Sequence, residues 1–234
     1  MSNPCRRHFQ RVTAAIEAAA AAPGAAMENA TGYELQLAKL QQDQFRLKQV
    51  QSQEGKAKLK AELLPDYEPW VDGVLSAGQG AQDDVLVTVM LWRFDAGDFV
   101  GGLTAAGYVL QYGLKMPDRF NRTTGCVVAE EVAEAALKAI KAGGTFDIGI
   151  LRQAEGLTTG HDMPDEARAK LMLAIGRLAA ASVEEAKPAE HDRSNLDMAK
   201  QYLGRAIELH GTCGGKKDLE RVERLLKKHA GSAS

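Results

Sequence analysis

Between one glycine or proline break and the next, most of this chain repeats its apolar residues every three or four positions. That spacing suits a helix, with 3.6 residues per turn, and not a strand, whose faces alternate every two. It constrains the fold to all-α. Val85, Val89 and Trp92 share one helical face, widened by Leu86, Met90 and Leu91, so a helix here is mostly buried. Residues 5–22 are alanine-rich and stop at Pro23-Gly24. "DMPDEARAKLMLAIGRLAAA" opens on a capping aspartate and an early proline, and "EEVAEAALKAIKAGG" closes on glycines. "TFDIGIL", residues 145–151, comes nearest to a strand and has no companion.

Helix pairs joined by short Gly-Asp turns predict helical hairpins packed in a tetratricopeptide-like array of irregular period. Residues 33–63 read as one long, polar N-terminal helix. Its Leu37, Leu40, Leu47 and Val50 give two heptads of a narrow coiled-coil seam, which either packs on its own domain or self-associates. "LLPDYEPWVDGVL" reads as a proline-punctuated entry into a short helix, and residues 182–194 as an insertion between two hairpin helices. Three parts are expected. Residues 1–62 are a basic helical arm and possible oligomerisation helix, 63–160 a central helical-hairpin domain, and 161–234 a C-terminal hairpin with a basic last helix.

The stretch "AQDDVLVTVMLWRFDAGDF" holds Asp83, Asp84, Asp95 and Asp98. Clustered aspartates can hold Mg²⁺ for phosphodiester cleavage, but the metals of a two-metal site lie roughly 4 Å apart. On a helix, Asp84 and Asp95 stand about 16 Å apart. Asp83 and Asp84 suit the first turn of a helix and Asp98 the cap of the next, after a left-handed Gly97. Asp95 and Asp98 remain the candidates for catalysis, sharing an ion in the turn with ligands from another chain. The five histidines lack zinc-site spacing, and "HGTCGGKKD" lacks the Ser/Thr and first glycine of a phosphate loop. No metal site is expected. Cys5, Cys126 and Cys213 are odd in number and far apart, which argues for a reducing compartment. Early charges leave no signal peptide expected, and the apolar run at 85–92 is too short to span a bilayer.

Net charge is −2, unevenly spread. Residues 1–62 carry nine Lys and Arg against six Asp and Glu; residues 212–234 carry six against three. The body between them is acidic. Basic ends can bind a polyanion, or be solvated faces only. The DNA-binding candidates are Arg6, Arg7 and Arg11 at one end and Lys216, Lys217, Arg221, Arg224 and Lys228 at the other. Lys217, Arg221, Arg224 and Lys228 fall at i, i+4, i+7 and i+11, one stripe that could follow phosphates. Neither end gathers Asn or Gln for reading bases.

"VTVMLWR", "DAGD", "YVLQYGLKMP", "EEVAEAALKA" and "DMPDEARAKL" together resemble the small terminase subunit of temperate contractile-tailed bacteriophages, a family commonly labelled the terminase endonuclease subunit. The resemblance runs from about residue 5 to 228 and is specific in the middle. It implies a small subunit that recognises concatemeric phage DNA at a cohesive-end site, in the host bacterial cytoplasm, away from membrane. It further implies a homo-oligomer and a large-subunit partner that holds the ATPase and uses Mg²⁺ and ATP, with no cofactor in this chain alone. Two other readings stay open: an endonuclease that cuts with Mg²⁺ by itself, and a helical scaffold that touches no DNA.

Overall fold

The computed structural model describes residues 3–117, 122–183 and 192–231. It is all-α. The helices are α1 (Pro4–Ala20), α2 (Thr31–Gln49), α3 (Gln53–Ala77), α4 (Asp84–Asp95), α5 (Phe99–Gln111), α6 (Thr124–Lys141), α7 (Ile148–Thr158), α8 (Asp165–Ala181), α9 (Asp192–Leu209) and α10 (Lys216–Gly231). Among the described residues no strand forms, and a lone bridge pairs Ala26 with Gln82. The helices group into two compact units, Met1–Thr124 and Gly125–Ser234. The first unit gathers residues 1–62 with the helices that follow, because α1 packs along α3. Residue 62 lies inside α3, and residue 160 in the turn after α7.

In the first unit, Gly73 of α3 sets the closeness of α1. A Cβ there would stand 2.3 Å from the Arg11 carbonyl oxygen and 2.6 Å from the Ala14 Cβ. Ala14 and Ala18 are fully buried on the facing side. α4 is buried on nearly every side, from Val85 to Trp92 and at Phe94. A helix so apolar all round belongs in the core, and α3 and α5 cover it.

Two expectations for this unit are corrected. Residues 33–63 are not one helix: the chain turns extended at Val50, and the Ser52 hydroxyl caps α3 by accepting the Gly55 N–H at 3.1 Å. A serine side chain competes for backbone donors in this way, so it favours helix starts over helix interiors. Leu40 and Leu47 of the expected seam are buried in their own unit. Nor do the prolines open a short helix; α3 runs through both Pro65 and Pro69. Pro69 has no N–H to give the Pro65 carbonyl, four residues back. The Arg7 guanidinium supplies that donor at 3.0 Å and grips Glu68 at 2.9 Å.

In the second unit α8 packs against α9, and α9 against α10. Leu173, Leu196, Leu203, Val222 and Leu225 form the core. Gly176 admits Leu203, whose Cγ would lie 2.8 Å from an added Cβ. "TFDIGIL" starts a helix, because the Asp147 carboxylate accepts the Gly149 N–H at 2.8 Å. Arg168 donates to the carbonyls of Thr158 and His161 at the end of α7, at 3.2 and 2.7 Å. Of the insertion expected at 182–194, residues 184–191 lie outside the described residues.

Candidate nucleic-acid interface

Each of the four aspartates has a partner inside its own unit. Asp83 caps α4: its carboxylate accepts the Leu86 N–H at 2.9 Å and the Trp70 indole N–H at 2.7 Å. Burial pushes its pKa up to about 6, against the pull of those donors. Asp84 accepts from the Gln82 amide at 3.0 Å, and its backbone N–H donates to the Tyr33 hydroxyl at 3.1 Å. Asp95 ends α4 in an ion pair with Lys60. Asp98 caps α5 through the Gly101 N–H at 2.9 Å and pairs with Arg93 at 2.7 Å. Gly97, at φ 82°, makes the left-handed turn between the helices. Among the described residues no three His, Cys, Asp or Glu side chains gather as a metal would require.

The N-terminal arginines diverge around α1. Arg7 and Arg11 line a hollow of about 360 Å³ with His8, Pro69 and Asp72. Glu68 and Asp72 temper the charge there. Arg6 faces a separate groove of about 520 Å³ with Phe9, Leu35 and Gln36. A basic count near the N-terminus therefore does not amount to one surface.

The C-terminal cations form a coherent stripe. Lys216, Lys217, Arg224 and Lys228 are exposed along α10, whose other side buries Val222 and Leu225. Arg221 is half-buried and lines a groove of about 670 Å³. Lys138 and Lys141 line it too, with the Arg177–Asp218 ion pair at 2.8 Å. Sequence reading missed Lys138 and Lys141, because α6 is distant from α10 along the chain.

It also missed a third basic region. Where α2 meets α3, Lys48, Lys56 and Lys60 line a groove of about 410 Å³ with Gln44, Gln53 and Asp95. The signal was present: residues 46–60 inclusive hold five Lys and Arg and one acid, Glu54.

A profile of the phage small terminase subunit family matches residues 37–166. The chain is also 45% identical, over 227 residues, to the "Terminase, endonuclease subunit" of Escherichia phage P2, covering 97% of this chain and 87% of the relative. This chain belongs to the phage small terminase subunit family. A more distant relative, the "Probable terminase, endonuclease subunit" of Haemophilus phage HP1, is 26% identical over 165 residues, 68% of this chain and 57% of its own. No solved structure matches. The family segment takes in the four aspartates and the α2–α3 groove, and leaves out the α1 arginines and the α10 stripe. No described helix is long and apolar enough to cross a membrane.

Proposed function

We propose that this small terminase subunit recognises concatemeric viral DNA at a cohesive-end site and presents it to the ATPase large subunit, in the cytoplasm of the bacterial host. The large subunit is then the one that uses Mg²⁺ and ATP. The observation that carries the reading is the α10 stripe, where Lys216, Lys217, Arg224 and Lys228 stand exposed along one helix of a chain whose body is acidic. Lysine and arginine that neutralise phosphates release counterions, so affinity falls as salt rises. Neutralising Lys217, Arg221, Arg224 and Lys228 together is expected to flatten that dependence in a fluorescence-anisotropy titration of duplex DNA. An unchanged slope sinks the α10 assignment.

A second reading, cutting by this chain itself, is favoured by the names that both phage relatives carry. Incubating the purified chain with Mg²⁺ and supercoiled plasmid bearing the site separates the readings. Retarded, intact plasmid supports recognition here and cutting elsewhere. Metal-dependent linear product, lost in an Asp95/Asp98 double variant, supports the nuclease. Plasmid unshifted at low salt leaves a scaffold.

Self-association belongs to the same proposal. The outer face of α1 and α2 exposes Phe9, Ile16 and Leu35, each at 65% or more. Beside them Gln36 is buried, and its Oε1 has no hydrogen-bond partner. Gln10 and Gln42 line the same groove, where the cations are Arg6 and Lys39 and no carboxylate appears. Lys39 is held by Asp43 and Asp66, which leaves the face nearly neutral. Amides both donate and accept, so a second copy meets such a face like for like. Phe9→Glu with Leu35→Glu is expected to reduce the sedimenting mass to the monomer; an unchanged mass removes the idea.

A further inference from the structure

We propose that the groove between the end of α2, the start of α3 and the end of α4 binds the backbone phosphates of nucleic acid, held by Lys48 and Lys56, and that Asp95 weakens it by occupying Lys60. The inference rests on the DNA-binding reading above and assigns that role to residues outside the two basic ends.

α2 ends at Gln49 and α3 starts at Gln53, so the last turn of one helix and the first turns of the next converge. Lys48 comes from the first limb, and Lys56 and Lys60, four residues apart, share one face of the second. Among the described residues Lys48 and Lys56 make no ion pair. Lys60 is different: its ammonium is bound to Asp95, and its side chain is 15% exposed. Gln44 and Gln53 add neutral donors beside the ammonium groups. The floor is Leu47, Leu91 and Trp92, of which the indole is only 3% exposed. A base has no aromatic face on which to stack here. What the groove offers is donors and positive charge, which suits phosphate oxygens and carries no sequence information.

The same arrangement gives Asp95 a role opposite to that of a nuclease ligand. As a catalytic carboxylate it would be needed for cutting and roughly neutral for binding. As the partner of Lys60 it subtracts one cation from the groove. Replacing it with asparagine frees that ammonium for a phosphate. The substitution also removes a negative charge from the last residue of α4, where the helix dipole disfavours one.

The test uses the full chain and a labelled duplex, with binding measured by anisotropy at 50 and 200 mM salt. Each phosphate contact contributes about 0.9 to the slope of log affinity against log salt. The ratio of wild-type affinities at the two salts is therefore expected to shrink by about tenfold in Lys48→Gln/Lys56→Gln. Asp95→Asn is expected to enlarge the ratio by about threefold and to tighten binding at low salt. Lys58→Gln, an exposed lysine that does not line the groove, controls for net charge and should leave the ratio unchanged. If wild type binds and the double variant matches it, the groove assignment falls while DNA recognition stands. Asp95→Asn that weakens binding also overturns the groove. A wild-type chain that binds no duplex at 50 mM salt overturns both.

Discussion

Among the described residues of the first unit two carboxylates are buried, and their surroundings push them in opposite directions. Asp83 sits where α3 meets the start of α4; its donors, an indole and backbone N–H groups, are all neutral, and the like charge of Asp84 lies close by. Asp43 sits where α2 crosses α3 and accepts from Lys39 at 2.7 Å, Arg46 at 2.8 Å and the Tyr67 hydroxyl at 2.8 Å. Burial raises both. At Asp83 it prevails, and the group is lifted to about 6. At Asp43 the hydrogen bonds and the charge of Lys39 outweigh it, and the group lies below the ordinary carboxylate range. Burial alone therefore does not decide a carboxylate's state; the charge of its donors does. Each is also tied to one of the chain's two tryptophans. Asp83 bonds Trp70, and Asp43 bonds Tyr67, whose ring meets Trp92 edge-on at 5.8 Å. Tryptophan fluorescence thus reports on this unit alone.

The largest effect is expected from breaking the Asp83 knot. Asp83→Ala removes a helix cap and leaves the buried indole N–H without an acceptor, for a combined loss of about 2–4 kcal/mol in urea unfolding. Asp83→Asn is no rescue, because one amide oxygen cannot serve both the Leu86 N–H and the indole. The pH dependence sharpens the comparison. Folded Asp83 holds its proton up to about pH 6, above its unfolded value, so its contribution is fully present below the unfolded pKa. It declines as pH rises through about 6, by an amount on the order of 3 kcal/mol. Wild type should therefore lose stability between about pH 4 and 7, and Asp83→Asn should not. Parallel profiles would mean that the buried carboxyl is not the titrating group.

The contrast between these sites also explains what a reader of the sequence can see. Asp83 and Asp98 were legible as helix-start residues, because an aspartate before an apolar periodic run, or after a glycine, has a local reason to be there. The α10 stripe was legible for the same reason: its spacing lies within one helix. Asp43 was not. An acid in a polar helix reads as solvent-facing, and only the crossing of α3 buries it. The break at Ser52 was hidden by polar residues continuing on both sides. The helix through Pro65 and Pro69 was hidden because its missing donor comes from Arg7, 58 positions from Pro65. The α2–α3 groove is a case of the same kind. Lys48, Lys56, Lys60 and Asp95 come from three helices, and no one window of sequence shows them together.

The smaller effect belongs to Asp43, and it separates the donors from one another. Its depressed pKa makes its contribution present above the unfolded value and lost as pH falls through the folded one. Asp43→Asn is expected to cost about 2 kcal/mol near neutrality, and to remove part of the loss on acidification. Tyr67→Phe takes away the fully buried donor while leaving Lys39 and Arg46 in place. It is expected to cost about 1 kcal/mol. The acid transition should also move to higher pH, since the ionised carboxylate has lost one of the bonds that favour it. Lys39 also lies 4.1 Å from the centre of the Tyr67 ring, a contact phenylalanine preserves. An acid transition that stays where it was in Tyr67→Phe would therefore assign the depression of Asp43 to the two cations and leave the hydroxyl a packing role.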